Sequence, residues 1–444
     1  MILNGDTTFT LTQSKVAIPK ALMVSDSHSL FSFLAQQVAD FVKEHHSDHF
    51  SEDPSHHLHL GFTFSFPVDQ KAINKGYLIR WTKGFDIPDA IGKDVCALLQ
   101  KEIDALGLPV KVAALVNDTV GTLMARSYTS PGETGTLLGA IFGTGTNGAY
   151  VEKLDRITKM TSASAKDVGE YDASTGEMVV NTEWGSFDNA LNVLPDSPYD
   201  RALDQNSFNP GIQMFEKRVS GMFLGEILRN AILSMKEDAG LFATSAIAED
   251  SVLNTPWGID TSLLSYIEAD STNDFSATKE QLQKDLGISA STISNDEAQA
   301  VKILVHAIGK RSARLSAVPI AAIVIATGKL SPHTQPPIDG LNLKNLSLVE
   351  QGIEILKSVI RGPSATPLAN APPQNTEEEP IDIGVDGSVV EFYPGFEKYV
   401  REALRDVPEL GERVEKRIRM GVAKDGSGVG AALIALVAKS QYSQ

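Results

Sequence analysis

Short apolar runs alternate with longer amphipathic stretches along the 444 residues, a pattern typical of an α/β fold. Runs rich in aromatic and β-branched residues predict strands at 60–66, 76–81, 110–116, 137–142, 178–182 and 417–422. A shorter strand region, at 9–12 and 16–18, has no earlier partner in the sequence. Apolar residues at helical spacing predict helices at 30–42, 89–106, 119–126 and 430–438, and over most of 227–316.

Polar side chains stand where several of these strands end. Ser65 lies at the end of the first strand, and Thr82 and Lys83 follow the second. Asn117 and Asp118 lie between a buried strand and a helix, whose dipole and free N–H groups favour an ionised Asp118 carboxylate. Strand ends beside loops often carry binding sites. An ordinary hairpin, and an aspartate that only caps its helix, would give the same pattern.

The segment GTGTNG at 143–148 matches the GxGxxG spacing of dinucleotide-binding loops. That fingerprint opens a helix, whereas here residues 149–151 continue as a strand. A strand, a glycine turn and a second strand predict a hairpin whose backbone N–H groups can hold phosphate. The sequence therefore disfavours a nicotinamide-dependent enzyme.

Composition excludes several classes of partner. The net charge of −17 argues against binding to nucleic acid or to an anionic membrane surface. No apolar run is long enough to span a bilayer, and the N-terminus does not have the pattern of a signal peptide. The one cysteine, Cys96, excludes an intramolecular disulfide and fits a reducing compartment, so we expect a cytoplasmic protein. Six of the nine histidines lie between 45 and 59 without the spacing of metal ligands, and we interpret them as part of a polar loop.

The segment LGFTFSFPVDQKAINKGYLIRWTKGF at 60–85 resembles the sugar-binding signature of the hexokinase family at every position of that signature. NDT at 117–119, the glycine loop, EWGSFDN at 183–189 and QMFEKRVSGMFLGE at 213–226 resemble further blocks of the family. The flanking sequence resembles fungal glucokinases more than the general fungal hexokinases. The resemblance implies a two-lobed, actin-like ATPase fold of the hexokinase type with a cleft between its domains. The small domain would comprise 1–118 and a returning C-terminal helix at 429–444, and the large domain would comprise 119–428.

The resemblance also implies a reaction and a site. The γ-phosphoryl group of ATP would pass to the 6-hydroxyl of glucose or a related hexose, with Mg²⁺ bridging the phosphates and no obligate protein partner. The implied sugar pocket consists of Ser65, Thr82, Lys83, Asn117, Asp118, Asn147, Glu183, Gln213 and Glu216. Asp118 would accept the hydroxyl proton, and Lys83 would stabilise charge near the transferring group.

The nucleotide would lie against two glycine turns. Gly143, Thr144 and Gly145 would approach the phosphates of ATP, and Gly387 and Ser388 its adenosine side. In the sugar pocket, Gln213 and Glu216 are three residues apart and would share one face of a predicted helix, although a solvated helix face has the same spacing.

Two departures from the family pattern oppose this interpretation. The sequence has no block of the DLGGTN type, the family's first phosphate loop, and residues 3–12 resemble the strand that follows that loop. Each hydrogen-bond donor of that loop that no longer stabilises the charge developing in the transition state would lower the rate by about 10²–10³-fold. Without the strand before the loop, neighbouring strands would have unpaired edges. The alternative hypothesis is therefore a sugar-binding or sensing protein that binds glucose without turnover, unless the printed sequence is itself truncated.

The second departure is a polar, proline-rich insertion at 329–379. A loop of this length without structure is uncommon in a compact domain. We expect it to be disordered, with a short helix at 346–360, or to be an artefact of gene prediction such as a retained intron.

Overall fold

The computed structural model describes residues 1–5, 8–49, 57–131, 135–161, 171, 173–330, 379–423 and 425–442. The predicted insertion at 329–379, with its helix at 346–360, lies almost wholly outside the described residues. The strands are β1 (Ile2–Gly5), β2 (Thr8–Thr10), β3 (Leu58–Thr63), β4 (Val68–Ala72), β5 (Lys75–Leu78), β6 (Val110–Val116), β7 (Thr136–Phe142), β8 (Thr146–Lys153), β9 (Glu177–Asn181), β10 (Ile381–Asp386) and β11 (Ile418–Val422).

The helices follow in the same chain order. They are α1 (Lys20–Met23), α2 (Ser27–His45), α3 (Val95–Ala105), α4 (Asp118–Thr129), α5 (Thr158–Thr161), α6 (Pro198–Gln205), α7 (Glu216–Val219), α8 (Gly221–Ala239), α9 (Ser262–Glu268), α10 (Ser276–Leu286), α11 (Asn295–Ala326), α12 (Ser388–Phe392), α13 (Phe396–Asp406), α14 (Gly411–Arg417) and α15 (Gly426–Tyr442). None of the helices in the described ranges is both long and apolar enough to cross a membrane.

The small lobe is built on β3 and β6, which pair in parallel. Where β3 passes from Leu60 to Gly61, β6 has one extra residue, Ala113. Such a bulge reverses the alternation of side chains between the two faces of a strand. Val112 and Leu115 therefore share one face although they are three residues apart, and both pack in the apolar core beneath α2 and α3.

The opposite face of this small sheet is covered by α15. Ala114 and Val116 of β6 pack against Ala431 and Ala435 of that helix. The small side chains allow a close approach of the backbones: a Cβ atom added at Gly61 of β3 would lie 2.1 Å from the carbonyl oxygen of Ala431. A larger residue at either surface would separate α15 from the sheet.

The large lobe contains a sheet of order β11-β10-β7-β8-β9, in which β10 is parallel to both its neighbours and β7, β8 and β9 form an antiparallel meander. Helices α6 to α11, α13 and α14 contribute to the core that packs with this sheet. The strands contribute apolar residues to that core, from β7 Leu137, Leu138, Ala140 and Phe142 and from β10 Ile381, Ile383 and Val385.

Helices α4 and α15 join the two lobes. A Cβ atom at Gly139 of β7 would lie 2.4 Å from the backbone nitrogen of Leu123, so α4 lies directly on the large sheet. Arg126 further ties α4 to β10 through its guanidinium bond to Asp382. Where α4 crosses α15, a Cβ atom at Gly430 would lie 2.0 Å from the carbonyl oxygen of Gly121. The lobes therefore meet at a crossing of two helices whose backbones touch.

One buried arginine binds the chain on both sides of the undescribed segment 331–378. Arg417, which is 7 % exposed, donates to the carbonyl oxygens of Lys329 (2.9 Å) and Leu330 (3.3 Å) and to that of Glu379 (3.0 Å). The chain on the two sides of that segment is therefore within reach of a single side chain.

Several of the predicted elements need correction. The strands predicted at 60–66 and 76–81 end earlier, at Thr63 and Leu78. The strand at 9–12 has an earlier partner, because β2 pairs antiparallel with β1, and residues 16–18 are not a strand. The helix predicted from 89 begins at Val95, since the Asp94 side chain caps it by accepting the Cys96 N–H (3.1 Å) and residues 88–90 form a separate turn. The helix predicted from 213 begins only at Glu216, because Gln213 has a positive φ of 58°, and it breaks at Ser220, whose backbone is extended.

The division into domains stays a proposal. We propose a small domain of 1–118 completed by the helix at 429–444, and a large domain of 119–428. Two separate apolar cores, one around α2, α3 and β6 and the other around β7, β10 and α11, support this division.

Candidate active site

Ser65, Asn117 and Asp118 lie at one edge of the small sheet. The backbone N–H of Phe64 donates to the carbonyl oxygen of Val116 (2.9 Å), so the segments that follow β3 and β6 run side by side. The Asn117 side chain caps α4 by accepting the Thr119 N–H (3.0 Å), and the Thr119 hydroxyl donates to the same oxygen (2.5 Å). Capping is therefore the role of Asn117, which leaves Asp118 as the first helical residue.

The Asp118 carboxylate is half-buried at the positive end of α4. One of its oxygens accepts the N–H of Thr119 (2.9 Å). Among the described residues, no side chain or backbone group donates to the other oxygen. Asp118 therefore combines a fixed position with one oxygen available to accept a proton.

Lys83 leaves the small lobe from a left-handed turn, with φ 57° at Lys83 and 79° at Gly84. Its amine donates to the carbonyl oxygen of Ser65 (3.1 Å). Aromatic residues flank this turn on both sides, and their rings, Trp81 and Phe85, stack with centres 5.5 Å apart. Thr82, half-buried beside Lys83, accepts the Phe85 N–H at its backbone carbonyl (3.1 Å).

The large lobe contributes a group of amides and carboxylates. The Asn147 amide on β8 donates to the carboxylate of Glu183 (3.0 Å) and to the side-chain oxygen of Asn181 (2.7 Å). The Asn181 amide also donates to Glu183 (2.9 Å). Pairing of β8 with β9 brings these three side chains together.

Glu216 is the buried carboxyl group of the site, only 8 % exposed. It accepts the backbone N–H of Thr146 (3.0 Å) and the side-chain amide of Gln213 (3.4 Å). Burial raises the pKa of Glu216 and the nearby Glu183 charge raises it further, whereas the Thr146 N–H, Lys83 and Gln213 act in the opposite direction. The Gln213 side chain is itself held by the hydroxyl of Ser186.

The two lobes meet at Gly145. A Cβ atom added there would lie 2.8 Å from a carboxylate oxygen of Glu216 and 3.6 Å from Cε of Lys83. Lys83 of the small lobe thus reaches the glycine loop and the carboxylate of the large lobe. The absence of a side chain at Gly145 is what leaves room for this approach.

The glycine loop also borders the turn at 387–388. The carbonyl oxygens of Gly143 and Thr144 accept the N–H groups of Gly221 (2.7 Å) and Met222 (3.1 Å) at the start of α8. A Cβ atom at Gly143 would lie 3.2 Å from Cα of Gly387, which has a φ of 117°. Thr144 and Ser388 are both exposed next to these contacts.

The fourteen predicted residues fall into three groups: residues of the small lobe, the amides and carboxylates of the large lobe, and the two glycine turns. The small-lobe group is Ser65, Thr82, Lys83, Asn117 and Asp118, the large-lobe group is Asn147, Glu183, Gln213 and Glu216, and the turns contain Gly143, Thr144, Gly145, Gly387 and Ser388. The structure links Ser65 with Lys83, Asn147 with Glu183, and Gln213 with Glu216 by hydrogen bonds. It gives no direct hydrogen bond between Asp118 and the other predicted residues in the described part of the chain.

Sequence reasoning missed several residues that hold the site. These are Thr146, Asn181, Trp184, Ser186 and Asp386. Asp386 accepts the N–H groups of Gly387 (2.7 Å) and of Gly426 (3.2 Å), and burial raises its pKa. Thr146, Trp184 and Ser186 could have been noticed, because they lie inside the family-like blocks at 143–148 and 183–189. The spacing of these residues does not show what they contact.

Among the described residues, no group of three or more histidine, cysteine, aspartate or glutamate side chains could hold a metal ion. His56 lies outside the described residues. The interpretation of the histidine-rich stretch as a polar loop is wrong at its two ends, because His45 lies in α2 and His59 in β3; residues 47–49 form a short turn.

Comparison with known proteins gives a consistent result. Family models described as hexokinase match residues 1–128 and 137–437. The chain is 55 % identical to a glucokinase of Aspergillus niger, with 100 % of this chain and 83 % of that protein covered. It is 41 % identical to glucokinase-1 of Saccharomyces cerevisiae, with 98 % and 81 % covered.

Solved structures agree with the sequence comparisons. The hexokinase from Schistosoma mansoni, solved in complex with glucose, is 29 % identical and superimposes with a TM-score of 0.71 over 95 % of this chain and 78 % of that one. A second hexokinase structure is 27 % identical, with a TM-score of 0.64 over 94 % and 75 %. The two-lobed α/β fold and the resemblance to fungal glucokinases are therefore confirmed. The chain belongs to the hexokinase family.

Proposed function

We propose that this chain transfers the γ-phosphoryl group of ATP to the 6-hydroxyl of glucose. The observation that carries the proposal is the meeting at Gly145, where Lys83 and Glu216 from the two lobes flank a phosphate-type glycine loop. An acceptor hydroxyl and a phosphoryl donor bound there would be adjacent. The names of the relatives, glucokinases and hexokinases, support the same reaction.

The sugar pocket of this proposal has the chemistry that a hexose requires. A hexose carries only hydroxyl and ether oxygens, so a selective site needs carboxylates that accept and amides that both donate and accept. The proposed pocket residues are Ser65, Thr82, Lys83, Asn117, Asp118, Asn147, Glu183, Gln213 and Glu216. Glu183 and Glu216 are each already oriented by amide or backbone donors, which lowers the entropy lost on binding.

Asp118 is the proposed general base and Lys83 the proposed stabiliser of charge. Asp118 is held on one oxygen by the Thr119 N–H, so the other oxygen could accept the proton of the sugar hydroxyl. The Lys83 amine has three donors, and its bond to Ser65 leaves others for the transferring group. Closure of the lobes would exclude water, which otherwise competes as acceptor.

ATP would lie with its phosphates on Gly143, Thr144 and Gly145 and its adenosine side on Gly387 and Ser388. The residues present fit a magnesium ion that arrives on the nucleotide, because Mg²⁺ is commonly bound by substrate phosphates with one or two carboxylates rather than by an all-protein cage. Asp118 is not a proposed ligand of the ion, because its second oxygen is the proposed proton acceptor, so the nucleotide phosphates would hold Mg²⁺. Bound Mg²⁺ would neutralise charge on the phosphates.

The setting of the reaction is also part of the proposal. We propose that the protein acts in the cytoplasm, without a nucleic-acid or membrane partner. The strongly acidic charge and the single cysteine, buried at Cys96, support this.

The test is glucose-dependent formation of ADP from Mg-ATP by the purified chain and by Asp118→Asn. We expect the variant to lose about 10²–10⁴-fold in kcat while it still binds glucose in calorimetry, because only the proton acceptor changes. Asp274→Asn is the matched control, since Asp274 also accepts a backbone N–H at a helix start, from Ser276 (3.2 Å), but is exposed just before α10.

Each other outcome selects a different hypothesis. Saturable glucose binding by the wild type without ADP formation would support the non-catalytic sugar-binding protein. A wild type that neither binds nor phosphorylates glucose would refute the proposed function.

A further inference from the structure

Thr146 is a buried residue to which the described mechanism gives no role. It is the first residue of β8, directly after the glycine loop, and is 4 % exposed. Its hydroxyl donates to the carbonyl oxygen of Ile141 on β7 (2.9 Å) and accepts the indole N–H of Trp184 (3.0 Å). A hydroxyl has one proton, so these two partners together fix its orientation.

The backbone of the same residue binds the sugar-pocket carboxylate. The Thr146 N–H donates to Glu216 (3.0 Å), and both residues are buried. The direction of this N–H is set by the backbone at the base of the hairpin. The hydroxyl bond of Thr146 to Ile141 clamps that base, where Phe142 pairs with Thr146.

Trp184 connects this clamp to the next pocket residue. It follows Glu183 in sequence, and its ring stacks on Phe142 with centres 5.9 Å apart. A Cβ atom at Gly148 would lie 2.1 Å from the indole ring, so the ring fills the space above β8. Thr146 and Trp184 thus connect the glycine loop with two carboxylates of the pocket, Glu183 and Glu216.

We propose that Thr146 is a positioning residue that couples the sugar pocket to the phosphate loop, an inference that rests on the proposed function. A ligand on the loop at 143–145 moves the hairpin base and with it the N–H that holds Glu216. A sugar that fixes Glu216 in turn fixes the loop. Each ligand therefore raises the affinity for the other, and the effect is reciprocal.

A hydroxyl that only stabilised the hairpin would behave differently. Its loss would lower the melting temperature and weaken both ligands separately. It would not change the ratio between glucose affinity with nucleotide and glucose affinity without it. This ratio, the coupling factor, is the quantity that separates the two roles.

The test compares the full chain with Thr146→Val and Thr146→Ser. Valine keeps the shape and the backbone N–H but removes the hydroxyl, whereas serine keeps the hydroxyl. Glucose dissociation constants are measured by calorimetry with and without Mg²⁺ and a non-hydrolysable ATP analogue. We expect a coupling factor of about 5 or more in the wild type and in the serine variant, and about 1 in the valine variant.

The proposal is overturned if the valine variant keeps the wild-type coupling factor, or if the wild type has a factor near 1. If the valine variant does not fold, Trp184→Phe removes the N–H that orients the hydroxyl while the Ile141 bond can remain. A reduced coupling factor in that variant supports the proposal, and an unchanged factor refutes it.

The same set of proteins separates this inference from the proposed function. A wild type that forms no ADP from glucose and Mg-ATP refutes the function. A wild type that forms ADP, with equal coupling factors in the valine and serine variants, refutes the role of Thr146 alone.

Discussion

Glu216 is a residue of the cleft whose surroundings oppose its charge. It is 8 % exposed, lies near Glu183, and has a raised pKa because burial disfavours the carboxylate. The Thr146 N–H and the Lys83 charge offset part of this effect. A group with such a pKa affects stability as well as binding.

We predict that Glu216→Gln makes the free protein more resistant to heat at neutral pH. The folded pKa lies above the ordinary value of 4.5, so the contribution of Glu216 to stability is fully present below pH 4.5 and is lost as the pH rises through the folded pKa. Glutamine has no such loss, and its oxygen can still accept the Thr146 N–H. The measurement is the melting temperature of both proteins without ligand from pH 4 to 8.

The melting temperature of the variant should exceed that of the wild type by a margin that grows as the pH rises from 4 to 7. The affinity of the variant for glucose should be lower than that of the wild type. Glu237→Gln, on an exposed part of α8, is the control and should show no comparable pH-dependent difference. A Glu216→Gln protein that melts below the wild type by the same amount at every pH would contradict the prediction.

The sequence could indicate the polar residues of the site but not their backbone conformations. Lys83, Glu183 and Gln213 all have φ between 52° and 58°. This region costs an L-residue roughly 1–2 kcal/mol, and none of the three is a glycine or asparagine that would indicate it. Contacts distant in sequence, such as the Lys83 amine with Ser65 and the Ser186 hydroxyl with Gln213, accompany these conformations.

At the scale of elements, the crossing of α4 and α15 is the tightest contact between helices that join the lobes. Gly121 and Gly430 face each other there without side chains. A methyl group at either position would meet backbone atoms, which cannot move aside as a flexible side chain can.

We predict that Gly430→Ala destabilises the protein by about 1–3 kcal/mol, since it overpacks this contact. Gly428→Ala is the control on the same helix, because nothing lies within 4 Å of its added Cβ atom. That control should be neutral or more stable by up to about 1 kcal/mol, the difference in helix propensity. Urea unfolding of both variants measures the effect, and equal stabilities would show that the crossing is not tight.

Local pattern predicted buried strands best and element ends worst. The strand at 110–116 has the predicted bounds because every residue except Lys111 is apolar. The bulge at Ala113 inside it is invisible in the sequence, since it depends on the register with β3. The start of α3 was misplaced because an amphipathic pattern does not show that Asp94, rather than an earlier residue, is the cap.

At the scale of the whole molecule, contacts among described residues hold the large lobe together. Its core extends from β7 through α11 to β10 and β11. Arg417 binds the chain just before and just after 331–378. These contacts are made by residues outside that segment.

We therefore predict that a chain lacking 331–378 folds and binds glucose as the full chain does. Leu330 would be joined to Glu379 by about four glycine and serine residues, which span up to about 13 Å. Melting temperature and calorimetric glucose affinity provide the measurement.

Arg417→Gln is a companion variant, made both in the full chain and in the deletion protein. It should lower the melting temperature of each, because the carbonyl groups of Lys329 and Glu379 lose their hydrogen-bond donor. A deletion protein that is insoluble or binds glucose much more weakly would show that the segment belongs to the fold.

Periodicity alone predicts an α/β protein, but not this architecture. The order β11-β10-β7-β8-β9 places strands next to each other that are more than 200 residues apart. Such pairings depend on surfaces formed after folding rather than on local pattern. The two lobes and the return of the last helix were expected only because of the family resemblance.

That return has a consequence for synthesis on the ribosome. The face of β6 formed by Ala113, Ala114 and Val116 is covered by α15, which is translated much later. At ordinary elongation rates of about 5–20 residues per second, the roughly 300 intervening residues take roughly 15–60 s to add. During that time the nascent small lobe presents an uncovered apolar surface, so we expect chaperones to bind this lobe until α15 has been translated.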